Sequence, residues 1–362
     1  MRHGFSFEVT SKEMNRRLAI KSLVAATLAG SISSAQAAYS PGTVAAKLLK
    51  PRRLSQGDTV GLIAPASNET EDEDIRIAAD IVESLGFRVR LGEHIFTRNL
   101  YLAGTDQQRA DDVNNMFAQD DIDAIFCVRG GYGTPRILPF LDYDLIADNP
   151  KILMGFSDIT GILTAIHHKT GMVGFHGSIL RHSFSEYTLS EFKKVVVHPT
   201  SRTSIAAPPP FETGEGRVNA ANRMTRIAGG TARGPLLGGN LSLICSLMGT
   251  EYEPDFRGRI LFLEDVNEAP YRIDRMLTQL RLADKLNQVA GIAFGKFTKT
   301  ETDGNSFSIE EVLKDRCSDL GIPVIRGFMI GHVADRTVVP IGIEAELNAD
   351  AATLTLLDTA VV

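Results

Sequence analysis

The sequence predicts an α/β protein made of two units, and three observations support this. Patterns typical of buried strands alternate with helical patterns from about residue 55 to residue 180, which favours a parallel sheet covered on both faces. A stretch rich in proline, serine and threonine follows at 183–230, and further strands and helices begin near residue 231. A chain of 362 residues, 43% of them apolar, is long enough for two cores.

Each element of the first unit has its own signal. The run DTVGLIAPAS is a buried strand pattern that ends in a Pro/Ser turn. In EDEDIRIAADIVESLGF the apolar residues have helical spacing, acidic residues crowd the first turn, and Gly86 stands where a helix would end. The following segments predict, in order, strand FRVRLG, helix DQQRADDVNNMFAQ, strand AIFCVRGG, a short helix near TPRILPFL and strand KILMGF.

The second unit mixes strands and helices. PLLGGNLSLICSLMGT predicts a turn and a helix, and GRILFLEDV predicts a strand. There follow helix APYRIDRMLTQLRLADKL, strand VAGIAFG, helix SIEEVLKDRCSDLG, and strands TVVPIGIEAELNA and ATLTLL. We therefore predict an N-terminal domain over residues 50–185, a linker over 186–230 and a C-terminal domain over 231–358.

Residues 1–37 have the layout of an export signal. Two arginines, Arg16 and Arg17, precede an apolar segment at 18–32, and the small-residue site Ala35-Gln36-Ala37 follows. The pair within NRRLAIK resembles a twin-arginine signal, although an ordinary secretory signal with a chance arginine pair remains an alternative. We predict a periplasmic protein. No other run is long enough to span a membrane.

Composition narrows the classes of partner and site. The net charge of -6 at pH 7 argues against nucleic acid as a partner, because such proteins carry a basic surface. Tryptophan is absent. The three cysteines, Cys127, Cys245 and Cys317, are widely spaced, and the first two lie in apolar patterns. They read as core residues and not as a disulfide framework or a metal site.

Ser157 in GFSDITG lies between a predicted strand and a predicted helix. Such a turn presents a hydroxyl at the tip of a strand, and the N–H of Asp158 beside it can stabilise an oxyanion. The motif lacks the second glycine of G-x-S-x-G, so a second interpretation stays open, in which the hydroxyl of Ser157 only caps the helix.

A serine nucleophile needs a base and an orienting acid. His332 follows an apolar strand and a glycine in FMIGHVADRT, and His176 ends a strand in VGFHGS and could reach the same cleft. Glu264 directly follows the apolar run RILFL, a buried position that is unusual for an acid, although it could also cap the next loop. The glycines of VRGGYGTPR end another strand and expose N–H groups that suit a negative charge.

Five motifs occur in a fixed order: VRGGYGTPRILPFLDYDLI, GFSDITGILTAI, GPLLGGNLSLICSLMGT, ILFLEDVNEAPYRIDRMLTQL and GIPVIRGFMIGH. Together they resemble the LD-carboxypeptidase family of serine peptidases, which includes the microcin C immunity peptidases, over roughly residues 55–357. The resemblance implies a Rossmann-like N-terminal domain and a C-terminal mixed α/β domain. It also implies an active site in the cleft between them, often a homodimer, and no metal or cofactor.

The resemblance also implies roles for single residues. Ser157 matches the family nucleophile, His332 the general base and Glu264 the acid that orients it, while the N–H groups of Gly131 and Asp158 match the oxyanion hole. The implied reaction releases D-alanine from murein tetrapeptide. One departure concerns the wall of the cleft, because Ser178 follows His176-Gly177 where family members often have proline.

A carboxypeptidase must also bind a free carboxylate, usually through arginine. Arg129 before the glycines and Arg181 beyond FHGS are candidates, each with a structural ion pair as the alternative. Asn240 in GGNLS either contacts substrate or bridges the domains. Two other functions stay open: an immunity-type peptidase that cleaves an acyl-sulfamoyl nucleotide, and a periplasmic solute-binding protein.

Overall fold

The computed structural model describes Met1 and residues 47–177, 184–301 and 304–362. Outside these residues lie the predicted leader, apart from Met1, and the two positions Ser178 and Arg181. The segment Ala46–Val362 forms one compact unit. Among the helices of the described ranges, none combines the length and apolar character that crossing a membrane requires.

A parallel sheet carries the first half of the described chain. Its strands lie in the order β12-β5-β4-β3-β1-β2, and only β12 is antiparallel to its neighbour. The strands are β1 (Thr59–Ile63), β2 (Arg88–Leu91), β3 (Ala124–Cys127), β4 (Ile152–Gly155), β5 (Gly174–His176) and β12 (Val339–Ile341). The helices between them are α1 (Asp72–Ser84), α2 (Asp106–Ala118), α3 (Thr134–Ile137), α4 (Tyr143–Asp148) and α5 (Thr160–Thr170).

A second, mixed sheet follows, in the order β6-β14-β13-β8-β9-β10-β11-β7. Its strands are β6 (Thr203–Ile205), β7 (Thr225–Ala228), β8 (Thr231–Asn240), β9 (Ile260–Val266), β10 (Gly291–Thr298), β11 (Val324–Arg326), β13 (Glu344–Asn348) and β14 (Thr353–Leu356). Strands β8 to β11 are parallel and the others antiparallel. The helices of this part are α6 (Glu186–Phe192), α7 (Leu241–Ser246), α8 (Pro270–Leu282) and α9 (Ile309–Cys317). The predicted α/β fold, with a parallel sheet in the N-terminal part and mixed α/β structure in the C-terminal part, is confirmed.

The predicted linker at 186–230 contains regular structure. It holds α6 and the strands β6 and β7, which pair with β14 and β11 at the two edges of the second sheet. The domain boundaries themselves stay predictions.

The strand predicted as TVVPIGIEAELNA is divided at Gly342, whose φ is 94°. Its first part, β12, joins the first sheet and its second part, β13, joins the second.

The segment PLLGGNLSLICSLMGT, predicted as a turn and a helix, contains the helix α7 but begins as a strand, because β8 continues through both glycines to Asn240. Gly238 and Gly239 have φ values of 144° and 141°. A Cβ on Gly238 would lie 1.8 Å from the carbonyl oxygen of Phe262, and one on Gly239 would lie 2.6 Å from Oγ1 of Thr160. The glycines are needed for close packing of β8 against β9 and α5, and not for a reversal of the chain.

Local signals elsewhere agree with the structure. Acidic residues occupy the first turn of α1, and that helix ends at Ser84, two residues before Gly86 with its φ of 90°. The three cysteines, Cys127, Cys245 and Cys317, are buried free thiols, as predicted for core residues.

Candidate active site

Ser157 lies in a tight turn between β4 and α5. It begins a 3₁₀ turn, Ser157–Ile159, and its φ of 63° falls in the left-handed region. A Cβ on Gly155 would lie 2.8 Å from Cγ2 of Ile159, so the turn can fold back only over a glycine. A strained strand–turn–helix of this kind presents the serine side chain at the tip of the strand.

The cap interpretation of Ser157 is not supported. Phe156 and Ile159 occupy the cap positions of the 3₁₀ turn and of α5, and neither helix start has a side-chain cap. The side chain of Ser157 is partly exposed, whereas Phe156 and Asp158 on either side are buried. Helix capping therefore does not explain this serine, and its role as a nucleophile stays a prediction.

Glu264 and His332 form a close pair. Nδ1 of His332 lies 2.7 Å from Oε2 of Glu264, which is fully buried at the end of β9. His332, in the loop after β11, keeps 20% of its side chain exposed. Gly331 has a φ of 112°, and a Cβ there would lie 2.5 Å from Oε2 of Glu264. The carboxylate orients the imidazole through Nδ1, which leaves Nε2 as the nitrogen that can act as a base.

A second layer of polar groups holds Glu264. The amide nitrogen Nδ2 of Asn240 donates to Oε1 of Glu264 at 3.3 Å and to Oδ1 of Asp265 at 3.0 Å, and its Oδ1 accepts from the N–H of Leu243 at 3.3 Å. Asp265 in turn accepts from the N–H and the hydroxyl of Ser242, at 3.0 and 2.8 Å. Burial, and then the charge of Glu264, raise the pKa of Asp265, while its donors act in the opposite direction.

These contacts place Asn240 behind the acid of the pair, with its carboxamide engaged on both sides. A direct contact with substrate stays a prediction. The sequence reasoning missed Asp265 and Ser242, although Asp265 continues the same strand end as Glu264 and could have been found there.

His176 is buried and lies close to the Glu264–His332 pair. Its Nε2 lies 3.9 Å from Oε1 of Glu264, and 1% of the residue is exposed. Burial, and then the charge of His332, lower the pKa of His176 to about 3, so it is neutral near pH 7. The ring of Phe156 lies 4.7 Å from that of His332 and 6.2 Å from that of His176, centroid to centroid. Because Phe156 precedes Ser157, these ring contacts bring the serine turn next to the histidine.

The glycine loop after β3 packs against the serine turn. A Cβ on Gly130 would lie 3.0 Å from Cβ of Ser157 and 3.3 Å from the backbone nitrogen of Asp158. Gly131 has a φ of 107° and approaches Ser67, whose Oγ would lie 2.5 Å from an added Cβ. Among the loop, turn and cap hydrogen bonds of the described ranges, neither the Gly131 nor the Asp158 N–H is a donor. Their role as an oxyanion hole stays a prediction.

The carboxylate of Asp158, which the sequence reasoning did not use, clamps this loop. It accepts from the N–H of Thr134 at 2.7 Å, and the hydroxyl of Thr134 donates to the carbonyl of Asp158. Arg109, which is buried, donates to the carbonyl oxygens of Gly133 at 3.0 Å and Pro65 at 2.7 Å. Burial raises the pKa of Asp158, and the loop N–H groups partly offset this.

Arg129 lies directly before the glycines, but its guanidinium already has partners. Nη1 donates to the carbonyl of Asn68 at 2.5 Å and lies 3.3 Å from Oε2 of Glu69. About a quarter of the side chain is exposed. A substrate contact of Arg129 stays a prediction, as does that of Arg181, which lies outside the described residues.

Comparison with known proteins identifies the family. Two family models match, the LD-carboxypeptidase N-terminal domain over residues 60–177 and the LD-carboxypeptidase C-terminal domain over 233–347. A probable murein peptide carboxypeptidase of Bacillus subtilis is 42% identical over 83% of this chain and 91% of its own length. The murein tetrapeptide carboxypeptidase of Pseudomonas aeruginosa is 33% identical over 80% and 93%.

A solved structure agrees with the sequence relatives. The structure of MccF in complex with glutamyl sulfamoyl guanosine matches with a TM-score of 0.79 at 26% identity, over 87% of this chain and all of that one. The family models cover both parts of the chain, each in the region where the corresponding motifs occur. The chain belongs to the LD-carboxypeptidase family of serine peptidases.

Proposed function

We propose that this protein is a serine L,D-carboxypeptidase that releases D-alanine from murein tetrapeptide, in recycling or remodelling of peptidoglycan. The observation that carries the proposal is the 2.7 Å contact between His332 and Glu264 beside the strained turn of Ser157. The relatives named for murein peptides support the substrate class.

The first half of the reaction forms an acyl-enzyme. Oγ of Ser157 attacks the carbonyl carbon between the L-centre and the D-residue, and Nε2 of His332 takes the serine proton. Glu264 accepts the Nδ1 proton in a hydrogen bond and stabilises the imidazolium. The N–H groups of Gly131 and Asp158 receive the oxyanion. The C–N bond then breaks as His332 gives its proton to the leaving amine of D-alanine.

The second half restores the enzyme. Water attacks the ester carbonyl while His332 takes a proton from this water. The tetrahedral intermediate then collapses, the ester C–O bond breaks, and His332 returns the proton to Oγ of Ser157. Hydrolysis is thus complete with the three side chains and two N–H groups of this chain. His176 is neutral near pH 7, so it adds no second positive charge beside Glu264 when His332 is protonated during the reaction.

Mass spectrometry of the purified protein with murein tetrapeptide and pentapeptide tests the proposal. We expect the loss of one D-alanine from the tetrapeptide only. Ser157→Ala is expected to lower kcat by roughly 10⁴- to 10⁶-fold, as in other serine triads. The matched control is Ser246→Ala, which removes an exposed hydroxyl bonded to the carbonyl of Leu243 at the end of α7. Release of D-alanine at the normal rate by the Ser157→Ala protein would contradict the mechanism.

The immunity-type peptidase is the second candidate, because a structure of MccF with a sulfamoyl nucleoside matches this chain. A nucleobase calls for an aromatic clamp, and this chain contains no tryptophan. Incubation with glutamyl sulfamoyl guanosine separates the two functions, since faster cleavage of that compound than of tetrapeptide would favour the second. A solute-binding protein would not react with a fluorophosphonate probe, whereas the proposed enzyme labels at Ser157.

We also propose that the protein is exported to the periplasm through its twin-arginine-like leader and acts there as a homodimer. Arg16 and Arg17 before the apolar segment support export, and the family resemblance supports the dimer. Fractionation of cells that express the double variant Arg16→Lys, Arg17→Lys tests the first part. The mass of the purified protein in solution tests the second.

A further inference from the structure

The loop after His332 places an arginine, Arg336, beside the candidate catalytic residues. The guanidinium carbon of Arg336 lies over the ring of Phe156, 5.0 Å from its centroid. The same ring lies 4.7 Å from the ring of His332, and Phe156 directly precedes Ser157. Arg336 therefore shares a neighbour with both the nucleophile and the base.

The guanidinium of Arg336 lacks an acceptor among the described residues. Across the described ranges it takes part in no side-chain hydrogen bond or ion pair, and its Nε is shielded from water without a partner. Burial lowers the pKa of Arg336, and the charge of Glu264 acts in the opposite direction. That carboxylate is already engaged by His332 at 2.7 Å. A half-buried cation without hydrogen bonds is costly in free energy, unless an anion joins it.

The other arginines beside the serine turn differ in this respect. Arg129 has the carbonyl of Asn68 and the carboxylate of Glu69. Arg109 has two carbonyl oxygens and lies 2.5 Å from Oδ1 of Asp106. Of the three, Arg336 alone keeps its donors for a ligand.

The backbone around Arg336 is held in place by α6. The N–H of Arg336 donates to Oγ1 of Thr188 at 3.1 Å, and that hydroxyl donates to the carbonyl of Ala334 at 3.3 Å. The hydroxyl of Ser185 donates to the carboxylate of Asp335 at 2.6 Å. The backbone that carries the guanidinium is thus fixed before substrate arrives, which reduces the entropy lost on binding.

We propose that Arg336 binds the free carboxylate of the terminal D-residue of the substrate. The carboxylate is one residue beyond the scissile carbonyl, about 3.8 Å along the chain, so its partner must lie next to Ser157. The planar guanidinium offers two parallel N–H donors to a carboxylate. This placement also explains removal of one residue only, because the carboxylate of a pentapeptide would lie one residue too far away. The assignment rests on the proposed function.

Binding to the Ser157→Ala protein tests the assignment without turnover. Calorimetry compares murein tetrapeptide with its C-terminal carboxamide. When Arg336→Met is added to Ser157→Ala, we expect binding of the acid to weaken by roughly 10- to 100-fold and binding of the amide to stay unchanged. Arg336→Lys should bind the acid with an affinity between those of the arginine and methionine proteins. Arg76→Met, which removes an exposed guanidinium on α1, is the matched control and should change neither affinity.

Three outcomes would overturn the assignment. One is an acid preference that survives in Arg336→Met, and another is a preference that disappears in Arg129→Met instead. The third is an Arg336→Met protein, with Ser157 intact, that no longer labels with fluorophosphonate and binds acid and amide equally poorly, which is the mark of a structural role. If the acid preference depends on Arg336 but the intact enzyme releases no D-alanine, the proposed function fails and the assignment stands.

Discussion

Glycine at position 331 is required by the carboxylate that it faces. The φ of Gly331 is 112°, and the space where a Cβ would stand lies 2.5 Å from Oε2 and 2.8 Å from Cβ of Glu264. The G-H pair of the motif therefore allows the histidine loop to pass close enough for the contact between His332 and Glu264.

Gly331→Ala should separate His332 from Glu264. We expect kcat to fall by about 10²-fold or more, because a base without its orienting carboxylate loses catalytic power. Gly230→Ala is the matched control, because φ there is 114° and the nearest atom to an added Cβ is 4.0 Å away. Steady-state kinetics and denaturant unfolding of both variants separate the clash from the backbone strain. Equal kinetic losses in the two variants would contradict this account.

At the scale of elements, the site depends on how β8 meets α5. The N–H of Asn240 donates to Oγ1 of Thr160 at 3.0 Å, and Gly239 packs against the same side chain. Thr160 follows the serine turn by one residue, and Asn240 is paired in register with Glu264 on β9. One contact thus connects the element of the candidate nucleophile, Ser157, with the element of the candidate acid, Glu264.

Thr160→Val should loosen this contact while keeping the shape of the side chain. The buried N–H of Asn240 loses its acceptor, which costs about 1–3 kcal/mol of unfolding free energy, and we expect kcat to fall as well. Thr164→Val is the control on the same helix. Its hydroxyl is buried and has no partner within the described ranges, so stability should stay the same or rise. Chemical denaturation and tetrapeptide kinetics give both readings, and a larger loss in Thr164→Val would be inconsistent with the contact as described.

At the scale of the whole molecule, the chain crosses between the sheets within the segment that carries the base. His332 follows β11 of the second sheet, and β12, which pairs with β5 of the first sheet, comes a few residues later. The loop between them is tied to α6 through Arg336 and Asp335. The position of His332, the candidate base, therefore depends on both sheets, and a change that separates the sheets should lower activity together with stability.

The pH dependence of global stability follows from two buried histidines. Burial lowers the pKa of His167 to about 4 and that of His176 to about 3, from the usual value near 6.5. Below pH 6.5 both histidines bind protons in the unfolded chain, whereas in the folded chain they stay neutral until the pH is much lower. The free energy of unfolding therefore falls as the pH decreases. Each such histidine changes the free energy of unfolding by about 1.4 kcal/mol per pH unit. For His167 this change continues down to about pH 4, where the folded protein also binds the proton.

His167→Gln should therefore reduce the loss of stability between pH 6.5 and pH 4. Urea unfolding at several pH values measures the slope, and His198→Gln, which removes an exposed imidazole, is the control. An unchanged slope in His167→Gln would show that His167 is protonated in the folded protein.

The sequence alone predicted the candidate nucleophile, acid and base, because local patterns indicated positions for them and the five ordered motifs selected Ser157, Glu264 and His332 among the alternatives. Ser157 lies between a strand pattern and a helix pattern, Glu264 follows an apolar run, and His332 follows a strand and a glycine. Parallel strands bring their carboxyl ends to one edge of a sheet. The fold class and the positions of the candidate nucleophile, acid and base could thus be predicted before any contact was seen.

Only the tertiary structure decided which groups meet. The hydrogen bonds of Asn240 with Thr160 and with Glu264, and the pairing of Gly238 and Gly239 with β9, join residues distant in sequence. Arg336 has no signal in the sequence, because what distinguishes it is a shielded Nε without an acceptor in the part of the chain that the structure describes. Side-chain type and spacing determine local structure, whereas partners, burial and unmet hydrogen bonds exist only once the two sheets have packed together.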